Sequence, residues 1–183
     1  MCIRDRLCRA ALRGPSAGNT ASLEVLCLQG DLVKAYWDTS LPEDRRAKFP
    51  WPRLLHAPLL LVAYVRPSSY VERYAEPDKA SSGLGVDEQT WPVPYWWVDG
   101  GAAVQNVLLL AESLGLGACL FGQFDKEEAI AARFDVPNDY RAVATIAVGY
   151  PDGDDRRSAS SQRPRRAPSE RVHHGGWTKG EDL

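Results

Sequence analysis

The stretch DGGAAVQNVLLLAESL, residues 99–114, decides the fold because it predicts the longest helix in the chain. Its apolar residues lie around almost the whole circumference of such a helix, and a helix of that kind belongs in the middle of a protein or in a large subunit interface. We expect Asp99 to cap the amino end of the helix, and Gly115 and Gly117 to end it.

Short apolar runs on both sides of this helix predict β-strands. Residues 59–65, LLLVAYV, form the clearest run, and their continuous apolarity predicts a strand covered on both faces. The other predicted strands cover residues 23–28, 118–121 and 143–150, and shorter helices are predicted over 7–13, 31–37, 68–75 and 126–134. Helices and strands share the chain, which indicates an α/β or α+β class.

The composition is that of an ordinary globular protein. The chain has 183 residues, 44% hydrophobic and 25% charged, with a formal net charge of -2. We therefore expect a single domain over 1–183 and no nucleic-acid partner. No apolar run approaches the ~20 residues that span a bilayer, so we expect no membrane partner. The four cysteines show no disulfide framework, and the expected compartment is the cytoplasm.

Two segments near the ends lie outside the predicted core. Residues 1–6 lack a helix cap and mix arginines with a cysteine, so we expect them to be disordered or foreign to the native fold. From Asp152 the composition turns charged and serine-rich, and residues 152–166 are expected to form a linker or arm. The arginines of residues 163–166 are more typical of a solvated tail, or of contact with one phosphate group, than of nucleic-acid binding.

The loop PSAGNT, residues 15–20, is the first candidate site. Ser16 offers a hydroxyl, Asn19 a carboxamide, and the backbone at Gly18 can approach a ligand closely. These groups suit a flat polar heterocycle or its polyol chain, and they equally suit an ordinary turn. The sequence has no nucleophile elbow, Walker loop or His-Glu-x-x-His motif, so any chemistry must come from a bound cofactor.

The second candidate is GLGACLFG, residues 115–122. It follows a helix and enters a strand, which is the reverse of the dinucleotide-binding order, so we reject a Rossmann site. The run is either a helix end followed by a buried strand, or a place where Phe121 and Gly122 present backbone N–H groups to a ligand.

Taken in order, these pieces resemble the nitroreductase family. The matching stretches are residues 13–20, 99–117, 121–122, 136–137, 148–151 and 166–173. The resemblance covers roughly residues 7–177 and implies an α+β fold with a central mixed β-sheet flanked by helices. It also implies an intertwined homodimer with FMN sites at its interface, in which residues 99–114 form the central dimer helix.

The resemblance also implies roles for particular residues. The residues that it assigns to the flavin and its ribityl chain are Pro15, Ser16, Ala17 and Asn19. The backbone of Phe121 and Gly122 is expected near flavin N5, and no side chain acts as a catalyst. Arg53 is expected near the flavin pyrimidine and Arg166 at the phosphate. No metal site is expected.

The activity implied is a ping-pong oxidoreductase. NADH or NADPH reduces the bound FMN, and a nitroaromatic, quinone or similar electron-poor small molecule then takes the electrons. Trp91, Tyr95 and Trp96 are expected to form a wall of the substrate pocket, with packing at the dimer interface as the alternative.

The chain departs from the family pattern at its amino end. It begins too late for the upstream arginines that hold the phosphate, and Ala21 and Ser22 stand where the family has a glutamine. We therefore expect a member shortened at this end. The alternative function is a non-catalytic or inactive flavin-binding relative.

Overall fold

A computed structural model describes residues 2–151, 153 and 158–177. The chain divides into two compact units, residues 1–151 and residues 152–183. The division falls where the composition turns charged and serine-rich. No helix in the described ranges is both long and apolar enough to cross a membrane.

The first unit contains a four-stranded sheet. Its strands are β1 (Glu24–Gln29), β2 (Leu59–Val65), β3 (Gly117–Phe121) and β4 (Arg141–Gly149). Their order across the sheet is β1-β2-β4-β3, so that β1 and β3 are the edges.

Every pairing in this sheet is antiparallel. The α+β class is confirmed, whereas the mixed sheet was wrong for the strands that the structure describes. The mixed sheet was inferred from the resemblance, because the apolar pattern within a strand does not specify the direction of its neighbour.

The helices of this unit are α1 (Ile3–Ala11), α2 (Asp31–Ser40), α3 (Glu43–Arg46), α4 (Pro67–Tyr74), α5 (Tyr95–Ser113) and α6 (Glu127–Arg133). Helix α5 is the predicted long helix, but it begins at Tyr95 with Pro94 as its amino-terminal cap. Asp99 therefore lies inside the helix, and its prediction as the cap was wrong. Residues 3–6, expected to be disordered or foreign to the native fold, are helical, so the expectation of disorder was wrong for them.

Side chains from β2 pack on both faces of the sheet, and all seven residues of this strand are buried, as its continuous apolarity predicted. On one face of the sheet, Leu59, Leu61 and Ala63 pack with α1 and α5. Leu60 and Val62 pack with α2 and α6 on the other.

Helix α5 is buried on one face only. Its buried side includes Ala103, Val104 and Val107, whereas Leu109 is 60% exposed. The prediction of a helix apolar all round is thus correct for composition, but part of that apolar surface faces outward in the single chain.

Candidate functional site

The loop of residues 15–20 connects α1 to β1 and has an unusual backbone. A short 3-10 turn spans Ala17–Asn19, and φ is positive at Gly18 (61°), Asn19 (56°) and Ala21 (52°). A left-handed backbone costs a residue other than glycine roughly 1–2 kcal/mol. Surrounding contacts must therefore hold this conformation in place.

Helices α4 and α5 supply those contacts. The carboxylate Oδ2 of Asp99 accepts hydrogen bonds from the Ala17 N–H at 2.7 Å and from the Tyr70 hydroxyl at 2.8 Å. The Arg73 Nε donates to the carbonyl oxygen of Gly18 at 2.8 Å. Asp99 was predicted as a helix cap, so its contact with the loop was missed by the sequence analysis.

Packing and protonation reinforce this arrangement. A Cβ atom added to Gly18 would lie 2.7 Å from the ring of Tyr74, so only glycine fits there without a shift. Burial, together with the hydrogen bond to Asp99, raises the pKa of Tyr70 to about 12. The hydroxyl is therefore protonated at neutral pH and is available as a donor.

The loop leaves selected polar groups for a ligand. Ser16 Oγ accepts from the Ala21 N–H at 2.9 Å, and its side chain also interacts with the Tyr70 hydroxyl. Asn19 is exposed, and its carboxamide makes no hydrogen bond within the described part of the chain. The carbonyl of Ala17 accepts from the N–H and hydroxyl of Thr20. The Ala17 N–H donates to Asp99, so the methyl group is the part of Ala17 that can contact a ligand.

Phe121 and Gly122 lie at the end of edge strand β3. The Phe121 ring stacks on Trp37 of α2, with ring centroids 5.5 Å apart and an interplanar angle of 21°. Gly122 is exposed, and a Cβ atom there would lie 3.3 Å from the ring of Phe124. The residues between Gly117 and Phe121 are exposed, so β3 is not the buried strand of the alternative interpretation.

A buried side chain fixes the turn after Gly122. Gln123 is 7% exposed, and its Nε2 donates to Thr145 Oγ1 at 3.4 Å. Thr145 Oγ1 also shares a hydrogen bond with the Tyr36 hydroxyl at 2.8 Å. Gln123 therefore ties the exposed Gly122 backbone to the interior of the sheet, and no pattern in the sequence predicted this role.

A cleft of about 340 Å³ opens beside Trp37, a size at the small end of ligand sites. It is lined by Gly30, Val33, Lys34, Trp37, Arg46, Leu55, His56, Ala57 and Pro58. Arg53 is exposed in the adjoining 3-10 segment Pro52–His56. Lys34 and Arg46 each form an ion pair with Asp38 at 2.6 Å. On one side the cleft is lined by Trp37, on which the Phe121 ring stacks. On the other it is lined by Leu55 and His56, which belong to the same 3-10 segment as Arg53.

The aromatic residues predicted to form a pocket wall are divided by burial. Trp91 and Trp96 are each 5% exposed and pack around Tyr70 with ring centroids 5.9 Å away, which agrees with the alternative of packing. Their contact with a substrate stays a prediction. Apolar rings are more stable in this cluster than in water. Tyr95 is 43% exposed and can still contact a substrate.

Arg166 belongs to the second unit. Its Nε lies 3.3 Å from Glu170 Oε2, its Nη2 donates to the Glu170 carbonyl at 2.8 Å, and its side chain is 70% exposed. Its phosphate contact stays a prediction. Part of the predicted arm, residues 152 and 154–157, lies outside the described residues.

The predicted cofactor residues therefore lie in separate places. Ala17 packs with the Tyr70 cluster on the α5 side of the sheet, whereas Phe121 packs with the α2 side. Across residues 2–151, 153 and 158–177, no group of three or more His, Cys, Asp or Glu side chains is placed to hold a metal ion.

The sequence of this chain is similar to those of a known protein family and of curated relatives. The model of the family described as "Nitroreductase family" matches residues 3–150. A curated protein of Methanothermobacter thermautotrophicus, named "Putative NADH dehydrogenase/NAD(P)H nitroreductase", is 39% identical over 69 residues, 36% of each chain. A protein of the same name from Archaeoglobus fulgidus is 31% identical over 64 residues, 33% of this chain and 37% of that protein. The matches span little more than a third of those relatives.

Solved structures resemble the chain over more of its length. The nitroreductase CinD from Lactococcus lactis in complex with 4-nitrophenol has a TM-score of 0.63 and 20% identity, covering 89% of this chain and 86% of that one. An FMN-dependent nitroreductase from Clostridium difficile R20291 has a TM-score of 0.60 and 21% identity, covering 94% and 86%. At these identities the likeness shows the fold.

Proposed function

Because this chain belongs to the nitroreductase family, we propose that it is an FMN-dependent oxidoreductase that uses NADH or NADPH to reduce small electron-poor acceptors. The observation that carries the proposal is the loop of residues 15–20. Its left-handed backbone is held from two helices, and the Asn19 carboxamide is exposed beside the Ser16 hydroxyl in the same loop. Strained backbone held by its surroundings is typical of ligand sites.

The residues present fit a flavin mononucleotide. Ser16 would donate its hydroxyl proton and Asn19 its amide protons to the flavin or the ribityl hydroxyls. Exposed Gly122 offers backbone without a side chain, which lets a planar ring approach closely. Arg166 is proposed for the phosphate on the resemblance to the family alone, and its planar guanidinium suits such a group.

Bound FMN would supply the redox chemistry, accepting a hydride from NADH or NADPH and then passing two electrons to the acceptor in a ping-pong order. The protein supplies position and electrostatics. The Gly122 N–H would orient the ring near N5, and Arg53 would stabilise negative charge on the pyrimidine side.

Nitroaromatics and quinones are the proposed acceptors. The structural neighbour CinD was solved with 4-nitrophenol and with chloramphenicol, and the exposed ring of Tyr95 suits flat molecules of this kind. The cysteine spacing in the sequence shows no disulfide framework, and on that ground we propose the cytoplasm as the compartment.

We also propose a homodimer whose flavin sites are shared. In one chain the loop of residues 15–20 and the Phe121–Gly122 end pack on different sides of the sheet. An exposed stripe on α5, formed by Val98, Gly101, Gln105 and Leu109, offers a surface for a second copy. Each site would take the loop from one copy and the β3 end from the other.

Flavin binding and turnover test the proposed function. Purified protein is titrated with FMN while flavin fluorescence is followed, and the loaded protein is then assayed for NADH or NADPH oxidation with menadione or a nitrofuran. We expect FMN uptake and acceptor-dependent oxidation. A protein that binds FMN but leaves it oxidised with both nicotinamides is the non-catalytic relative. A protein that takes up no FMN contradicts both functions.

A further inference from the structure

The contacts to the loop of residues 15–20 come from side chains whose own positions are fixed. Arg73 is held by two hydrogen bonds from its Nη atoms to the carboxylate of Asp78, at 2.7 and 2.8 Å, and its side chain is 21% exposed. A guanidinium oriented in this way donates its remaining Nε–H in one direction, toward the Gly18 carbonyl.

Asp99 is fixed in a different way. It lies inside α5, is 9% exposed, and the two groups that donate to its Oδ2 are both neutral. A buried carboxylate is stable only when its hydrogen bonds are made. Because one of these bonds comes from the Ala17 backbone, an open loop would leave the Asp99 carboxylate short of a donor.

We propose that Tyr70, Arg73 and Asp99 form a loop clamp, a set of positioning residues. The clamp holds residues 15–20 in the conformation, left-handed at Gly18 and Asn19, that presents Ser16 and Asn19 to the cofactor. This inference rests on the proposed function. In this proposal the clamp residues act through the loop and not by contact with the cofactor. A loop that is already ordered spares cofactor binding the entropy cost of ordering a flexible one.

The free protein provides the first test. Hydrogen exchange of the peptide covering residues 14–22 is measured without FMN in the unaltered protein, in Tyr70→Phe and in Arg66→Gln. Tyr70→Phe keeps the buried ring and removes one donor to Asp99. Arg66→Gln is the control, because it breaks ion pairs to Glu72 and Asp139 around the start of the same helix, α4.

We expect faster exchange at residues 14–22 in Tyr70→Phe and unchanged exchange there in Arg66→Gln. FMN titration of the same proteins should show roughly tenfold weaker binding for Tyr70→Phe, the effect of one lost hydrogen bond to a charged group. Asp99→Asn keeps an oxygen acceptor and should bind FMN within about fivefold of the unaltered protein, since a neutral acceptor is weaker. Asp99→Leu should bind much more weakly than Asp99→Asn.

Two results would overturn the loop clamp. One is unchanged exchange at residues 14–22 in Tyr70→Phe. The other is faster exchange with unaltered FMN affinity, which would make the contacts structural only. If the unaltered protein takes up no FMN, the proposed function fails, and the exchange comparison alone decides whether these residues order the loop.

Discussion

Left-handed backbone at Gly18, Asn19 and Ala21 concentrates strain within four residues of the chain. Glycine adopts such angles readily and asparagine tolerates them, because its short polar side chain can bond locally. Alanine has neither advantage, so Ala21 is the most strained of the three. Its N–H is held by Ser16 Oγ, which compensates part of the cost.

Replacing Ala21 by glycine should therefore stabilise the fold. We expect Ala21→Gly to raise the free energy of unfolding by about 1 kcal/mol, since glycine relieves the positive φ. The matched control is Ala129→Gly on the exposed side of α6, expected to lower it by a similar amount because glycine disfavours a helix. Urea unfolding monitored by circular dichroism measures both. The same sign for both substitutions would contradict the assignment of strain to Ala21.

At the scale of elements, apolar patterns in the sequence predicted most helices and strands, because burial of continuous or periodic apolar residues is a local signal. The sharpest case is β2, predicted and observed over residues 59–65. The partners of Asp99 could not be predicted, since Ala17 is 82 positions away along the chain. Likewise, Lys34 and Arg46 come from separate elements and meet at the cleft only after folding.

The contacts between elements also make the stability pH-dependent. Burial raises the pKa of both Tyr36 and Tyr70 to about 12, from an ordinary value of 10.0. The unfolded chain loses these protons first, so their contribution is complete below about pH 10 and is lost as the pH rises toward 12. In that range, each tyrosine should lower the free energy of unfolding by about 1.4 kcal/mol for each unit of pH increase.

Urea unfolding at pH 9 and pH 11 measures this loss. Tyr36→Phe and Tyr70→Phe should each reduce the decrease in the free energy of unfolding between the two pH values. Tyr150→Phe, at a position 78% exposed, is the control and should leave the decrease unchanged. Equal decreases in all three variants would contradict the role assigned to the buried hydroxyls.

At the scale of the whole molecule, the arrangement of the predicted cofactor residues favours a site made by two copies. The loop of residues 15–20 and the end of β3 pack in different clusters, and the α5 stripe exposes the apolar side chains of Val98 and Leu109. The resemblance implied a dimer, whereas composition and periodicity alone could not, because they do not report which apolar face lacks a partner within the chain.

A charge in the α5 stripe should dissociate the proposed dimer. We expect Leu109→Glu to convert it to a monomer and to abolish FMN binding, because burying an unpaired carboxylate at an interface is strongly unfavourable. Leu32→Glu on α2, where the leucine is 47% exposed, is the control and should remain dimeric. Light scattering coupled to size exclusion reports the mass. A Leu109→Glu protein that stays dimeric would exclude this stripe as the interface.

Mixing variants tests whether the sites are shared. Ser16→Ala combined with Asn19→Ala damages the loop, and Gly122→Val damages the β3 end. Each variant alone should bind FMN poorly, whereas a heterodimer refolded from both should contain one intact site. Recovery of FMN binding on mixing is expected. No recovery, with heterodimers confirmed by differential tagging, would place both groups in the same copy.

If this chain uses FMN to carry electrons from a nicotinamide to a second substrate, the bound flavin must be reduced and then reoxidised. Anaerobic addition of NADH or NADPH to the FMN-loaded protein, followed by menadione, measures both steps. The flavin absorbance should fall with at least one nicotinamide and return when menadione is added. A flavin that stays oxidised with both donors would contradict this use of FMN.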